Sequence, residues 1–359
     1  MIGIRLKMAR EAKKLSMQGL ADLVGLSANM IKKYEHNTSM PSSDVLLRLM
    51  DVLGVEMDFL FRPVQVELGE VEYRTKSSTP KKLLKQITVD VTKQAERWLT
   101  LKALWLDFPV KPYCLEADLP TVHLLDDIEQ FADALRKHWQ LGTNPIPKMI
   151  DLLEDLGIIV IVSDVNTDNK FDGLQAMINN TPIIVVSSSW SGDRQRFTLA
   201  HELGHLVLPA YLSHDLPDDW DIEKACNRFA GAFLLPKSRM IHEFGEKRQK
   251  IYAKELAYLK REYGLSMRAI AYRAKDLGII TATYHRGINI IFNQKGWHKQ
   301  EPEVYASENT HTFKQLVYRA VAEQIISESK GAELLGMPIY QFIQEQTLSN
   351  GANDATDAD

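Results

Sequence analysis

Apolar residues recur at helical spacing through the first sixty positions of the chain. Ser16 and Ser27 are residue types that begin helices, and Gly25 is of the type that ends them. Pro41 opens a further apolar segment that contains Leu46 and Leu49. Several short helices with a glycine turn between the second and the third predict a helix-turn-helix domain over residues 1–62.

The pattern changes after this domain. Residues 63–80 are polar and rich in Ser and Thr, and they end at Pro80, which predicts a linker. Residues 81–144 return to a helical period, and we assign them as a helical connecting region.

Short apolar runs appear beyond residue 145 and predict strands. A helix over 150–156 precedes three candidate strands, at 158–162, 171–178 and 182–186. Asn179 and Asn180 predict a tight turn between the last two strands. We therefore expect an α+β, mostly helical fold, with a mixed core over 145–247 and a helical region over 248–348. Residues 349–359 are predicted to be a disordered acidic tail.

Composition narrows the class of protein. The 359 residues are 45% hydrophobic and 25% charged, with a net charge of −4 and two cysteines. No apolar run approaches the roughly 20 residues of a membrane span, and the N-terminus lacks a signal-peptide core. We expect a cytoplasmic protein without membrane contact or a disulfide framework. Residues 1–62 hold nine Lys or Arg and seven Asp or Glu, a mildly basic balance.

The segment HELGH at residues 201–205 carries the most specific chemistry. On a helix, His201 and His205 lie one turn apart on one face, so both imidazoles can reach a single metal ion. Glu202 stands beside them, where a carboxylate can take a proton from an activated water. The spacing predicts Zn²⁺ as cofactor and Glu202 as general base of a hydrolase.

A zinc hydrolase usually has three protein ligands and one open position. We choose Glu223 as the third ligand, on the helix that follows, 18 positions after His205. Asn227 comes one turn later, and its side chain is a candidate to orient a ligand. Other candidates for the third ligand remain open: His214, Asp219, Asp221 and Cys226.

In this scheme zinc acidifies a water molecule and polarises the peptide carbonyl, and Glu202 carries the proton to the leaving amine. The strand over 182–186 precedes the helix with the histidines. We expect an extended substrate to add to this strand.

Three segments around the motif resemble the ImmA/IrrE metallopeptidases over roughly residues 145–240. These are RFTLAHELGH at 196–205, EKACNRFA at 223–230 and LLP at 234–236. The resemblance implies a gluzincin-like fold, zinc bound by His201, His205 and Glu223, and Glu202 as catalytic base. It also implies a bacterial regulator that cuts a protein substrate, a repressor or an antitoxin. One departure is the dipeptide Ala225-Cys226, where the family often has Glu-Ala.

The N-terminal domain resembles Xre/Cro-type helix-turn-helix proteins. The matching residues are Leu20-Ala21, Gly25-Leu26-Ser27, Ile31, Tyr34-Glu35 and Pro41. The resemblance implies a DNA operator as partner, read by the start of the third helix. The candidate DNA contacts are Ser27, Ala28, Asn29, Lys32 and Lys33. Because such operators are often two-fold symmetric, a homodimer is expected. A module for protein interaction is the alternative.

Three hypotheses follow from the sequence. The first is a zinc endopeptidase with a DNA-binding domain that regulates transcription by cleaving a partner repressor. The second is a DNA-binding regulator whose metal site is sensory or structural and not proteolytic. The third is a component of a toxin–antitoxin pair.

Overall fold

The computed structural model describes residues 2–13, 15–55, 57–61, 71–75, 81–105, 107–165 and 171–346. These residues divide into two compact units. The first unit contains those within Met1–Glu67, Leu84–Lys111 and Thr310–Asp359. The second unit contains those within Leu68–Leu83 and Pro112–Asn309.

The first unit begins with five helices: α1 (Gly3–Ala12), α2 (Met17–Val24), α3 (Ala28–Glu35), α4 (Ser43–Leu53) and α5 (Met57–Phe61). The Ser16 and Ser27 side chains accept hydrogen bonds from backbone N–H groups and so begin α2 and α3. Gly25 ends α2 with a φ of 68°, a conformation that favours glycine. The apolar faces of these helices form one core that contains Leu20, Ile31 and Leu49. The predicted helix-turn-helix fold is confirmed.

Four further helices complete the first unit: α6 (Lys81–Ala103), which belongs to this unit from Leu84 onward, α15 (Thr312–Ala322), α16 (Glu328–Leu335) and α17 (Ile339–Gln346). Arg5 of α1 forms a buried ion pair with Glu96 of α6, with 2.5 Å between Nη1 and Oε2. On the same helix Trp98 packs against Phe313 of α15, with ring centroids 5.0 Å apart. Helix α6 therefore contacts both α1 and α15.

The second unit is built around a four-stranded sheet in the order β1-β3-β4-β2. The strands are β1 (Val71–Thr75), β2 (Ile159–Ser163), β3 (Phe171–Ile178) and β4 (Thr181–Ser187). Strand β4 pairs antiparallel with β3 and parallel with β2. Asn179 and Asn180 join β3 to β4 with φ values of 46° and 61°, which suit a two-residue hairpin turn. The predicted Asn-Asn turn is confirmed.

Helices surround this sheet: α7 (Asp127–His138), α8 (Met149–Asp155), α9 (Gly192–Val207), α10 (Ile222–Leu234), α11 (Lys237–Phe244), α12 (Ala253–Tyr263), α13 (Met267–Asp276) and α14 (Ala282–Gln294). A 3₁₀ turn, Leu208–Tyr211, follows α9. Helix α9 packs on β3 and β4 and along α10. One continuous apolar core joins these elements and contains Ile184, Leu203 and Phe229. The α+β, mostly helical fold class is confirmed.

The segments group differently from the predicted boundaries. Within the predicted linker 63–80, residues 71–75 form β1, and residues 62–70 and 76–80 lie outside the described residues. The predicted connecting region 81–144 and helical region 248–348 are each divided between the two units. Helical periodicity reveals a buried face, and it does not say which distant segment covers that face. The predicted tail 349–359 also lies outside the described residues.

The expectation that a substrate adds to strand 182–186 is wrong. Strand β4 lies inside the sheet, and its two edges are paired with β2 and β3. No backbone edge remains on it for a further strand.

None of the helices in the described ranges combines the length and apolarity needed to cross a lipid bilayer.

Candidate functional site

Helix α9 presents the two histidines of the motif. The helix begins after Ser191 and is buried along most of its length, because it lies between the sheet and α10. His201 is fully buried, and the side chain of His205 is 8% exposed. Their Nε2 atoms are 3.0 Å apart. The one-turn spacing thus brings two nitrogen donors to one point.

Helix α10 presents the carboxylate. Its first turn is fixed by Asp221, whose side chain accepts a hydrogen bond from the Lys224 backbone N–H. This hydrogen bond lowers the pKa of Asp221, because it stabilises the charged carboxylate. Glu223 lies in the same turn. Its Oε1 is 3.2 Å from His205 Nε2, and its Oε2 is 3.3 Å from His201 Nε2.

The ligand atoms of His201, His205 and Glu223 all lie within 4.8 Å of one another. Asn227 Oδ1 is 3.1 Å from His201 Nδ1. In this arrangement Nδ1–H donates to the amide oxygen, so the lone pair of Nε2 points into the group. Two imidazole nitrogens and one carboxylate oxygen are a donor set that suits zinc. The residues present therefore fit a divalent metal ion.

The alternative third ligands do not join this group. Across the described residues, the group of potential ligands at this position contains no His214, Asp219, Asp221 or Cys226. Cys226 is buried where α10 crosses α9. A Cβ added at Gly204 would lie 3.3 Å from the Cα and the Cβ of Cys226. Cys226 thus packs in the contact between α9 and α10.

The carboxylate of Glu202 lies next to the sheet. The residue is 1% exposed, and a Cβ added at Gly173 of β3 would lie 3.5 Å from its Oε1. The same added atom would lie 2.7 Å from the carbonyl oxygen of Val185. Only a residue without a side chain fits there, which keeps β3 close to Glu202.

A segment far along the chain holds α9 in place. Arg196 of α9 is fully buried, forms an ion pair with Glu308 and donates to the carbonyl oxygen of Ile146. At the first residue of α9, the Gly192 backbone N–H donates to the carbonyl oxygen of Tyr305. The sequence did not predict these contacts, because Glu308 belongs to no recognisable motif and lies over one hundred positions after Arg196.

The candidate DNA contacts lie at the start of α3 and along its outer face. Ser27, Asn29, Lys32 and Lys33 are exposed, and Ala28 is partly exposed. The buried side of the same helix is formed by Ile31 and Tyr34. The helix thus separates a packed face from an accessible polar face.

Comparison with known proteins identifies both parts of the chain. Residues 153–275 match the IrrE N-terminal-like domain family, and residues 6–60 match the helix-turn-helix family. The SPbeta prophage-derived uncharacterized HTH-type transcriptional regulator YonR of Bacillus subtilis is 37% identical over 73 residues. That match covers 20% of this chain and 68% of YonR.

The radiation response metalloprotease IrrE of Deinococcus radiodurans is 37% identical over 75 residues, which cover 18% of this chain and 23% of that protein. The chain thus matches less than a quarter of the length of IrrE. The domain matches agree with the resemblance found in the sequence. The chain belongs to the HTH-type transcriptional regulators, and its residues 153–275 form an IrrE N-terminal-like domain.

Proposed function

We propose that the second unit is a zinc-dependent endopeptidase and that the first unit binds an operator in DNA. The protein would then regulate transcription by cleaving a partner repressor. The observation that carries this proposal is the convergence of His201, His205 and Glu223 within 4.8 Å. The 37% identity with a radiation response metalloprotease over 75 residues also supports the peptidase proposal.

A zinc ion held by these three side chains would supply Lewis acidity to a peptide carbonyl and to a solvent molecule. Glu202 accepts the proton of the attacking water and delivers it to the leaving nitrogen. Asn227 holds the ring of His201 in one orientation, so that Nε2 is the atom offered to the ion.

In the first unit, the exposed face of α3 reads DNA. Asn29 suits hydrogen bonds to an adenine edge in the major groove. Lys32 and Lys33 suit phosphate contacts, which supply affinity without sequence preference. Two copies of the chain would read the two halves of a symmetric operator.

The change Glu202→Gln tests the peptidase proposal. Glutamine has a similar size and cannot accept the proton, so proteolysis falls by at least about a hundredfold, within the range of general-base catalysis. Metal content by mass spectrometry and binding to genomic DNA fragments remain at wild-type levels. New protein N-termini are compared between cells that express either form, with the transcripts of the bound operons measured in parallel.

The same experiment separates the alternative function. The identity with an HTH-type transcriptional regulator supports a role in DNA binding and leaves open a second function, a regulator whose metal site is sensory or structural. In that case Glu202→Gln leaves transcription unchanged, and wild-type cells show no new N-termini. Unchanged transcription or the absence of new N-termini would each contradict the proposal of a regulatory peptidase.

A further inference from the structure

Without β1, strand β3 would form the edge of the sheet next to Glu202. A Cβ added at Gly173 of β3 would lie 3.5 Å from Glu202 Oε1 and 2.5 Å from Thr198 Cγ2, so the strand runs against one face of α9. On one side β3 pairs with β4 from Gly173 to Ile178. Its other side has the unpaired backbone groups to which an extended peptide adds.

Helix geometry places this edge on the side of the proposed metal ligands. Successive residues of an α-helix are about 100° apart around its axis. The two histidines of the motif therefore lie on one side of Glu202, and Leu203 lies on the other. Leu203 belongs to the apolar core that also contains Ile184 of β4. Because β4 lies on the Leu203 side, the outer edge of β3 lies on the histidine side.

A linker segment of the chain itself occupies this edge. Strand β1 pairs antiparallel with β3 along its whole length, from Val71 opposite Ala176 to Thr75 opposite Phe171. Its fourth residue, Arg74, is opposite Gly173, the residue of β3 that lies against Glu202. The backbone of β1 thus uses the groups of β3 that an extended substrate would need.

The proposed site is closed on the side of the sheet. A general base has to meet both water and substrate. Glu202 is nevertheless 1% exposed, and His201 is fully buried, whereas the side chain of Glu223 is 55% exposed. This burial agrees with a strand that stands in the place of the substrate.

We infer that β1 is an inhibitor built into the second unit: it occupies the substrate position on β3 and has to leave before an extended substrate binds. The chain before β1 leads to α5 and the chain after it leads to α6, so β1 is tethered at both ends. A tethered segment competes at an effective concentration on the order of millimolar, so a short strand is enough to slow cleavage. This inference rests on the proposed peptidase function and specifies its regulation.

The test opens the edge with Glu72→Pro and Tyr73→Pro in one full-length variant. Successive N–H groups of a strand point to opposite sides, so one of two adjacent prolines removes a donor to β3. The metal-loaded variant cleaves a peptide library from a digested proteome at least about tenfold faster than the wild type, because more molecules have an open edge. Ser77→Pro with Ser78→Pro is the matched control in the same linker, and it cleaves at the wild-type rate.

A second measurement needs neither metal nor catalysis. In the metal-free protein, hydrogen exchange of the β3 amides is faster in the proline variant, whereas α9 keeps its protection. A synthetic peptide with the sequence of residues 69–77, GEVEYRTKS, restores the protection of β3 and slows cleavage by the variant at concentrations on the order of millimolar. Glu72→Gly with Tyr73→Gly weakens the strand without removing an N–H, so the test does not depend on one variant folding.

Equal cleavage rates in the wild type and in both opened variants overturn the inhibitor role and leave the peptidase proposal standing. A cut within residues 71–75 of the wild-type chain also overturns it, since β1 would then be a substrate. Unchanged exchange of β3 in the proline variant shows that β1 does not cover the edge. Absence of cleavage by every metal-loaded form, together with faster exchange of β3, defeats the peptidase proposal itself.

Discussion

Gly204 stands between His201 and His205, the two proposed metal ligands of α9, and sets the distance from α9 to α10. A Cβ at this position would lie 3.0 Å from Phe229 Cδ1 and 3.3 Å from Cys226 Cα. A helix interior disfavours glycine by about 1 kcal/mol relative to alanine, so the residue needs a packing reason. The close approach of the two helices is that reason, and it keeps Glu223 within reach of both imidazoles.

Gly204→Ala is therefore expected to weaken metal binding. The added methyl group pushes α10 away from α9, which draws the carboxylate of Glu223 from the imidazoles. Overpacking of this kind costs about 1–3 kcal/mol of folding stability. Competition with a chelator measures metal affinity, and thermal unfolding measures stability.

The control for this substitution is Gly287→Ala, at an open helical position. It should leave metal affinity unchanged and raise stability by up to about 1 kcal/mol. Equal metal affinity in Gly204→Ala and the wild type would contradict the spacing role of Gly204.

At the scale of elements, the sequence allowed β3 and β4 to be predicted with nearly correct bounds. Strand β4 contains a continuous apolar run, β3 is apolar over more than half of its length, and Asn179 and Asn180 form the turn that two adjacent asparagines indicate. Strand β1 could not be predicted in this way. It is a short stretch of mixed residues within a polar segment, and its pairing partner β3 lies about one hundred positions later. Pairing between distant strands leaves little trace in local periodicity.

The candidate metal-ligand group shows the same limit of prediction from sequence. The spacing of His201 and His205 follows from helix geometry and was predictable. Glu223 could be separated from the other candidate third ligands only once the packing of α10 against α9 was known. Gly173, Gly204 and Glu308 act through contacts with distant segments, and the sequence offered only two unexplained glycines as a signal.

Helix α10 depends on its first residues, which gives a prediction at this scale. Asp221→Ala removes the acceptor for the Lys224 N–H, so the first turn frays and Glu223 loses its fixed position. We expect a lower metal affinity and a lower unfolding temperature. Asp221→Asn is the matched control, because asparagine begins helices as well as aspartate does. If Ala and Asn give the same metal affinity, the cap does not position Glu223.

At the scale of the whole molecule, the first unit is assembled from three separate stretches of chain. The ion pair between Arg5 and Glu96 joins two of these stretches, and both side chains are almost fully buried. Residue positions more than ninety apart in the sequence thus contribute to one fold. The helix-turn-helix is therefore tied to α6 by a buried ion pair, in addition to its own apolar core.

Glu96→Ala is predicted to destabilise the first unit by about 3–5 kcal/mol, since the Arg5 guanidinium loses a buried carboxylate partner. Lys85→Ala breaks the exposed pair with Glu11 and should change stability by less than about 1 kcal/mol. Limited proteolysis with mapping of the cut sites measures the two units separately. Similar protease resistance of the first unit in both variants would argue against the importance of the buried pair.

The interleaved arrangement also orders events during synthesis. Ribosomes build the chain at about 5–20 residues per second, and domains fold as they emerge. Every segment of the second unit leaves the ribosome before α15, α16 and α17, the closing helices of the first. In a nascent chain, the metallopeptidase-family domain can therefore finish folding before the unit that contains the helix-turn-helix is complete.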